Sequence, residues 1–279
     1  MAHCVVPEAE AILDREFPVH TKGFVRLVDY LGGDERIVQA ARVSYGEGTK
    51  SFRRDSGLIS YLLRNEHTSP FEQVVMSFHV KMPIFVARQW LRHRTARVNE
   101  ISGRYSILPD EFYLPEERDV AAQSEENKQG RAAEPADPAV RRRTIELLGE
   151  GQARAYADYR KILDDNVARE LARVNLPLST YTEMYWQIDL HNLFHFLKLR
   201  MDPHAQKEIR DYALVLHEIA SRVCPLACEA FDDYVLGGIQ FSRREMEALK
   251  QLLAGSEVTL TGKALERFQA KLRGERLLT

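Results

Sequence analysis

Residues 73 to 82, QVVMSFHVKM, alternate apolar and polar side chains, and at Pro83 this alternation gives way to a pattern that repeats every three to four residues. A period of two sends successive side chains to opposite faces of a strand, whereas a period near 3.6 lines them along one side of a helix. The first pattern predicts a strand with Val74, Met76, Phe78 and Val80 on one face. The second predicts a helix opened by Pro83 and running to about Arg94, with Ile84, Ala87, Trp90 and Leu91 as its apolar stripe. The expected fold class is therefore α+β: a mixed α/β core with a small antiparallel-type sheet, followed by a largely helical C-terminal half.

Around this junction, GFVRLVDY (23–30) reads as another strand, and ERIVQAARVS and SGLISYLLRNE read as helices. In HTSPFE, Ser69 as cap, Pro70 at the first helical position and Glu72 as the capping-box acid form a helix-start signature. It marks a tight turn that delivers His67 and Ser69 to a defined place. Residues 116–140 lose apolar periodicity and read as an exposed insertion of a composition compatible with disorder. Helices are then expected over 141–164, over 166–175 with Val167, Leu171 and Val174 inward and a stop at Pro177, over 180–200, and over 203–223 with Asp202 as cap and Pro203 first. Two amphipathic patterns follow, Met246/Leu249/Leu252/Leu253 and Leu265/Phe268/Leu272. The expected organisation is one domain over 1–241 and a helical appendage over 242–279.

The chain has 279 residues, 44% hydrophobic and 29% charged, within the ordinary range of a soluble globular protein. No apolar run is long enough for a membrane span, and the acidic start is unlike a signal peptide, so a cytoplasmic location is expected. Three cysteines, Cys4, Cys224 and Cys228, are too few for a disulfide framework, and the last two read as buried thiols. A net charge of −2 argues against general nucleic-acid binding.

Against that near-neutral total, residues 88–105 hold five arginines, Arg88, Arg92, Arg94, Arg97 and Arg104, and one acid, Glu100. Guanidinium groups match phosphate oxygens two at a time, and Gln89, His93, Asn99, Ser102 and Gly103 add varied hydrogen-bonding groups, so the segment reads as an anion pocket. The alternative is a solvated basic face. On one helix Arg92 and Arg94 point about 200° apart, so either the helix ends there or they serve different ligands. Gly103 admits backbone N–H groups to an anion, with Ser102 and Arg104 beside it. Without a G-x-S-x-G context, Ser102 is not read as a hydrolytic nucleophile.

On the expected 180–200 helix, Gln187, His191 and His195 form a polar stripe ending near Arg200 and His204. That stripe could face a planar, polar cofactor, bind zinc, or pack as satisfied histidines; a zinc-protease helix would carry Glu where Asn192 stands. Arg173 is equally readable as a solvent-exposed arginine. Two rival classes follow from the residues: a metal-dependent hydrolase built on His191, His195 and Asp202, and an RNA-binding module using Arg88 to Arg104.

The pattern Arg92-His93-Arg94, seven residues, Ser102 resembles that of the flavin-dependent thymidylate synthases. The likeness extends to HTSPFE, KMPIFVARQWLRHR, ARVNLPLSTYTEMYW and LHNLFHFLKLRMDPHAQKEIR, over about residues 23–235, leaving the insertion and the tail outside. One departure is Arg97, where the family carries a small polar residue. The resemblance implies a homotetramer with sites shared between subunits, which methylates dUMP to dTMP with 5,10-methylenetetrahydrofolate as carbon donor and FAD, reduced by NADPH, as hydride carrier. It implies a dUMP site of Gln89, Arg92, Glu100, Ser102, Gly103, Arg104, Arg173 and Arg200, with Arg200 as the activating residue. It implies an FAD site of Ser69, Arg92, His93, Arg94, Asp189, His191 and His195, with His67 and His204 nearby, and no metal, nucleic-acid or membrane partner.

Overall fold

The structure, a computed structural model, describes residues 4–44, 52–125 and 130–274. In chain order it contains α1 (Pro7–Glu10), β1 (Glu16–Val19), β2 (Gly23–Leu31), α2 (Asp34–Ala41), α3 (Phe52–Arg64), β3 (Val75–Pro83), α4 (Ile84–Trp90) and β4 (Arg97–Glu100). There follow β5 (Ala121–Gln123), β6 (Arg131–Pro135), α5 (Pro138–Asp164), α6 (Arg169–Ala172), β7 (Tyr181–Asp189), α7 (Leu190–Arg200), α8 (Lys207–Val223), α9 (Pro225–Phe231), α10 (Arg243–Leu253) and α11 (Gly262–Leu272). The fold class is α+β, as expected. Residues 1–228 and 229–279 form two compact units.

The first unit is built on a five-stranded antiparallel sheet in the order β1-β2-β3-β7-β4. Its inner face carries Val25 and Leu27 from β2, Met76, Phe78 and Val80 from β3, and Met184, Trp186 and Ile188 from β7, all buried. At Leu27/Asp29 the register with β3 shifts by one residue, which keeps Tyr30 inward although it lies an odd number of positions from Leu27. Helices α4 and α8 cover this face, and α7 packs against α8 and β7. Trp90 of α4, Trp186 of β7 and Phe196 of α7 meet at ring-centroid distances of 4.8–5.2 Å and close the core beneath the helices.

Several expectations are corrected in ways that matter for the site. Residues 180–200 are not one helix: β7 occupies 181–189 as an internal strand between β3 and β4, and the helix starts at Leu190 with Asp189 as its cap. Met184 and Ile188, four residues apart, fit a helical stripe as well as an alternating one. The buried Thr182 and Trp186, set against the outward Glu183, Tyr185 and Gln187, decide for the strand. Pro83 is the last residue of β3 and α4 ends at Trp90, so Leu91, 40% exposed, is no part of a buried stripe and Val86 takes its place. Freed from the helix, the chain turns back and adds β4 to the edge of the sheet.

The 166–175 helix is only α6 followed by a 3-10 turn at Arg173–Asn175. Ala172 is its buried residue, whereas Val167, Leu171 and Val174 face outward. Pro70 caps a single 3-10 turn, Phe71–Gln73, which is the tight turn expected before β3, although no side-chain cap forms at Ser69. Asp202 caps a turn by accepting from the His204 N–H at 2.8 Å, and α8 starts later, at Lys207. The described residues of segment 116–140 are largely exposed, with β5 and β6 paired within it and α5 begun at Pro138, and residues 126–129 of the expected insertion lie outside the described residues. In the second unit α10 opens on a capping box between Ser242 and Glu245, and Lys271 of α11 pairs with Glu245 at 2.7 Å. Ala248, Leu260 and Phe268 form its own small core.

Candidate active site

Where α4 ends, the chain passes through Arg92, His93, Arg94 and Thr95 before entering β4, beside the point where β7 hands over to α7. These two junctions enclose a pocket of about 310 Å³ lined by Arg92, His93, Arg94, Thr95, Ile188, Asn192, His195, Leu199 and Arg200. The pocket exists because both helices break there: α4 stops at Trp90, and Asp189 starts α7 by accepting from the Asn192 N–H at 2.9 Å. The ending of α4 also resolves the divergence of Arg92 and Arg94, which face one pocket from non-helical backbone.

Arg200 closes the pocket floor through two bonds. Its Nε donates to His93 Nε2 at 3.0 Å and its Nη2 to the Gln89 carbonyl at 3.2 Å. Burial, together with the positive charge of Arg200 and the neighbouring His195, pushes the His93 imidazole down to about 4, so it is neutral near pH 7 and free to accept from the guanidinium. Burial also lowers the Arg200 guanidinium, which nevertheless stays charged. His93 and His195 lie 5.8 Å apart, and the Phe196 ring packs on His93 at 4.7 Å. The result is a cationic recess with fixed donors, suited to an anionic ligand with carbonyl or phosphate oxygens.

A second group gathers at the opposite end of β4, displaced along the strand by about 15 Å at the usual rise per residue. Here Ser102 Oγ accepts from the Arg104 N–H at 3.3 Å, Gly103 is buried, and Arg104 pairs with Glu170 at 3.3 Å. A Cβ on Gly103 would stand 3.1 Å from Arg173 Cδ and from Leu108 Cδ1, so any larger residue would have to push these side chains away from the turn. Glu100 accepts from the Thr182 hydroxyl at 2.7 Å. Arg97 donates to Gln187 on the outer face of the sheet at 3.3 Å.

The expected site residues thus fall into distinct places. Arg92, His93, Arg94, His195 and Arg200 share the pocket, with Gln89 behind it. Glu100, Ser102, Gly103, Arg104 and Arg173 make the second group. Asp189 spends its carboxylate on Asn192, receiving both the backbone N–H and the side-chain Nδ2. His191 is absent from the pocket lining, because the lining face of α7 is Asn192, His195 and Leu199, not a stripe through Gln187. His67 stands against Tyr61 at 5.8 Å, and Ser69 is exposed just ahead of Phe71, whose ring meets Phe194 of α7 at 6.3 Å. His204 pairs with Asp202 at 2.9 Å. Asn192, missed in the sequence, is betrayed by its i, i+3, i+7 spacing with His195 and Leu199 once the helix is started at the right residue. Among the described residues no group of three or more His, Cys, Asp and Glu is placed to hold a metal ion.

Comparison with known proteins gives a consistent result. The family model described as "Thymidylate synthase complementing protein" matches residues 26–226, running through the 116–140 segment. A second, "Thymidylate synthase ThyX C-terminal domain", matches 239–278, so the tail too has family counterparts. The flavin-dependent thymidylate synthase of Treponema denticola is 64% identical over 95% of this chain and 99% of its own length. That of Treponema pallidum is 59% identical over 98% of this chain and 90% of its own. The crystal structure of the UMP/dUMP methylase PolB from Streptomyces cacaoi bound with 5-Br dUMP superposes with a TM-score of 0.71 at 31% identity, covering 78% of this chain and 98% of that one.

Proposed function

The chain belongs to the flavin-dependent thymidylate synthases, and from that premise we propose that the pocket between α4, β7 and α7 is where it brings flavin and nucleotide together. The reaction is the reductive methylation of dUMP to dTMP with 5,10-methylenetetrahydrofolate as carbon donor and FAD, reduced by NADPH, as hydride carrier. The observation that carries the placement is the convergence of Arg92, His93, Arg94, His195 and Arg200 on one recess.

The donor set fits FAD. The guanidinium groups of Arg92 and Arg94 suit pyrophosphate oxygens, while the His195 imidazole and the Asn192 amide suit ring nitrogens and carbonyls. Ser69, Asp189 and His191, with His67 and His204 near them, complete the flavin site in this reading. Once bound and reduced, the flavin supplies the hydride, and the protein supplies orientation and charge.

The nucleotide is held by Gln89, Arg92, Glu100, Ser102, Gly103, Arg104, Arg173 and Arg200. Carbon 5 of uracil is a weak nucleophile, and no cysteine lines the pocket to activate it through an adduct at carbon 6. Arg200, fixed by His93 and the Gln89 carbonyl, is placed to stabilise the negative charge that develops on the ring as carbon 5 attacks. Ser102, already bonded to the Arg104 N–H in a turn, binds and does not attack.

In a single chain the pocket and the Ser102–Arg173 group lie toward opposite ends of β4. A second copy supplying one half of each site would join the two groups, and that is the homotetramer with shared sites in this reading. A cytoplasmic location is in keeping with three cysteines that remain thiols. We keep 242–279 as a separate appendage to the synthase domain.

The test is the visible spectrum of the purified protein before and after anaerobic NADPH, with and without dUMP. A flavin spectrum bleached by NADPH, and dTMP formation on adding the folate, are expected. A protein that stays colourless after reconstitution with FAD would overturn the reading.

A further inference from the structure

Behind Gln89 runs a chain of hydrogen bonds that the reaction itself does not call for. It begins at Glu208, 3% exposed in the first turn of α8. Tyr113 donates its hydroxyl to Glu208 Oε1 at 2.8 Å, and Arg131 Nη2 reaches both carboxylate oxygens at 2.7 and 2.9 Å. Gln206 Nε2 donates to Oε2 at 2.8 Å, and the other end of the same amide, Oε1, accepts from Gln89 Nε2. Gln89 in turn offers its backbone carbonyl to Arg200.

The direction of the side-chain bonds from Glu208 to Gln89 follows from the first member. Burial alone would raise the Glu208 carboxyl, but Arg131 and Tyr113 outweigh it and hold the group below its ordinary value, so it is ionised. An ionised carboxylate only accepts, so whatever touches it must donate. Gln206 must therefore present its NH₂ to Glu208 and its carbonyl oxygen to Gln89. Gln89 must answer with one N–H of its own NH₂, which fixes the way the amide faces and turns its Oε1 to the side away from Gln206. A glutamine without such a backing could offer either end.

We infer that Glu208, acting through Gln206, positions Gln89 so that the nucleotide site presents a fixed hydrogen-bond acceptor at that point. The nucleotide must then meet it with a donor, either the imide N–H of the uracil ring or a sugar hydroxyl. This inference rests on the assignment of Gln89 to the nucleotide site.

The experiment is a set of dUMP KM and kcat measurements on the FAD-loaded enzyme. Gln206→Leu cuts the relay without touching the pairs of Glu208 with Arg131 and Tyr113. It is expected to raise the dUMP KM roughly tenfold with a much smaller change in kcat, as for one lost hydrogen bond. Combined with Gln89→Ala it should do no further harm, because both act at one contact. Glu208→Gln should also raise KM, and adding Gln206→Glu to it should restore the value, since the acceptor then stands directly behind Gln89. The penalty of Gln206→Leu should vanish with N3-methyl-dUMP if the donor is the imide, and with the 3′-deoxy analogue if it is the hydroxyl. Gln206→Leu with unchanged KM, beside a Gln89→Ala variant that raises it, would overturn the relay and leave the site assignment standing. A Gln89→Ala variant with unaltered KM would overturn the site assignment and the relay with it.

Discussion

Arg200 gives Nε to the His93 ring and Nη2 to the Gln89 carbonyl, which fixes the plane of its guanidinium before any ligand arrives. Charge preorganised in this way accelerates a reaction because no reorientation is needed when charge develops on the substrate. Arg200→Ala is expected to lower kcat by about a hundred- to a thousandfold, the usual scale for removing one such donor, while the protein still binds flavin. Turnover retained in that variant would show that the activating group is elsewhere. The same variant should raise the pKa of His93 from about 4 part of the way toward 6.5, since the charge of Arg200 is removed while burial remains. In the unaltered protein, the unfolded chain takes up this proton near pH 6.5 and the folded chain only near 4. The contribution of neutral His93 to stability is therefore complete above 6.5 and is lost as pH falls from 6.5 to 4. An NMR titration of the His93 imidazole in both proteins tests the shift.

At the level of elements, β3 was readable from sequence because only an alternating period fits the buried Val74 just ahead of it together with its inward Met76, Phe78 and Val80. β7 was not readable, because its apolar positions satisfy both periods until Trp186 is weighed. β4, with all four residues exposed, carries no burial pattern at all and is defined only by its partner strand. The motif Arg92 to Ser102 was visible, but its division into a pocket and a distant turn depends on the length of β4, which lies in long-range pairing. A similar long-range contact links α2 to α9. Asp34 accepts from the N–H groups of Leu226 at 2.8 Å and Ala227 at 3.0 Å, which have no carbonyl to bond at a helix start. Burial raises Asp34 to about 6 against the opposing pull of those two N–H groups. The folded protein thus holds this proton more tightly than the unfolded chain, so stability declines as pH rises from about 4 to about 6 and is level above. In Asp34→Asn this part of the slope should disappear from a plot of Tm against pH. An unaltered slope would place its origin in another group.

On the scale of the whole molecule, the arrangement of exposed apolar residues bears on assembly. Tyr105 is 76% exposed, Leu171 63% and Val174 75%, and all three lie on the segments that bring Gly103 and Arg173 together. Arg169 ties them by donating to the Tyr105 carbonyl at 2.8 Å. Scattered exposed apolar side chains are ordinary, but large ones gathered on neighbouring segments are what a subunit contact requires. If a second copy covers this face, it both buries these residues and brings its own Arg92–Arg94 pocket within reach of Ser102 and Arg173. Val174→Asp would then force a carboxylate into the contact. The charge cannot be buried unpaired, so association should weaken by at least about a hundredfold. Sedimentation velocity should show a smaller species, far-UV circular dichroism should be unchanged, and dUMP affinity should fall in step with the loss of assembly. Should Val174→Asp sediment as the unaltered protein does, this face is not a subunit contact, and the proposed nucleotide site must be completed another way.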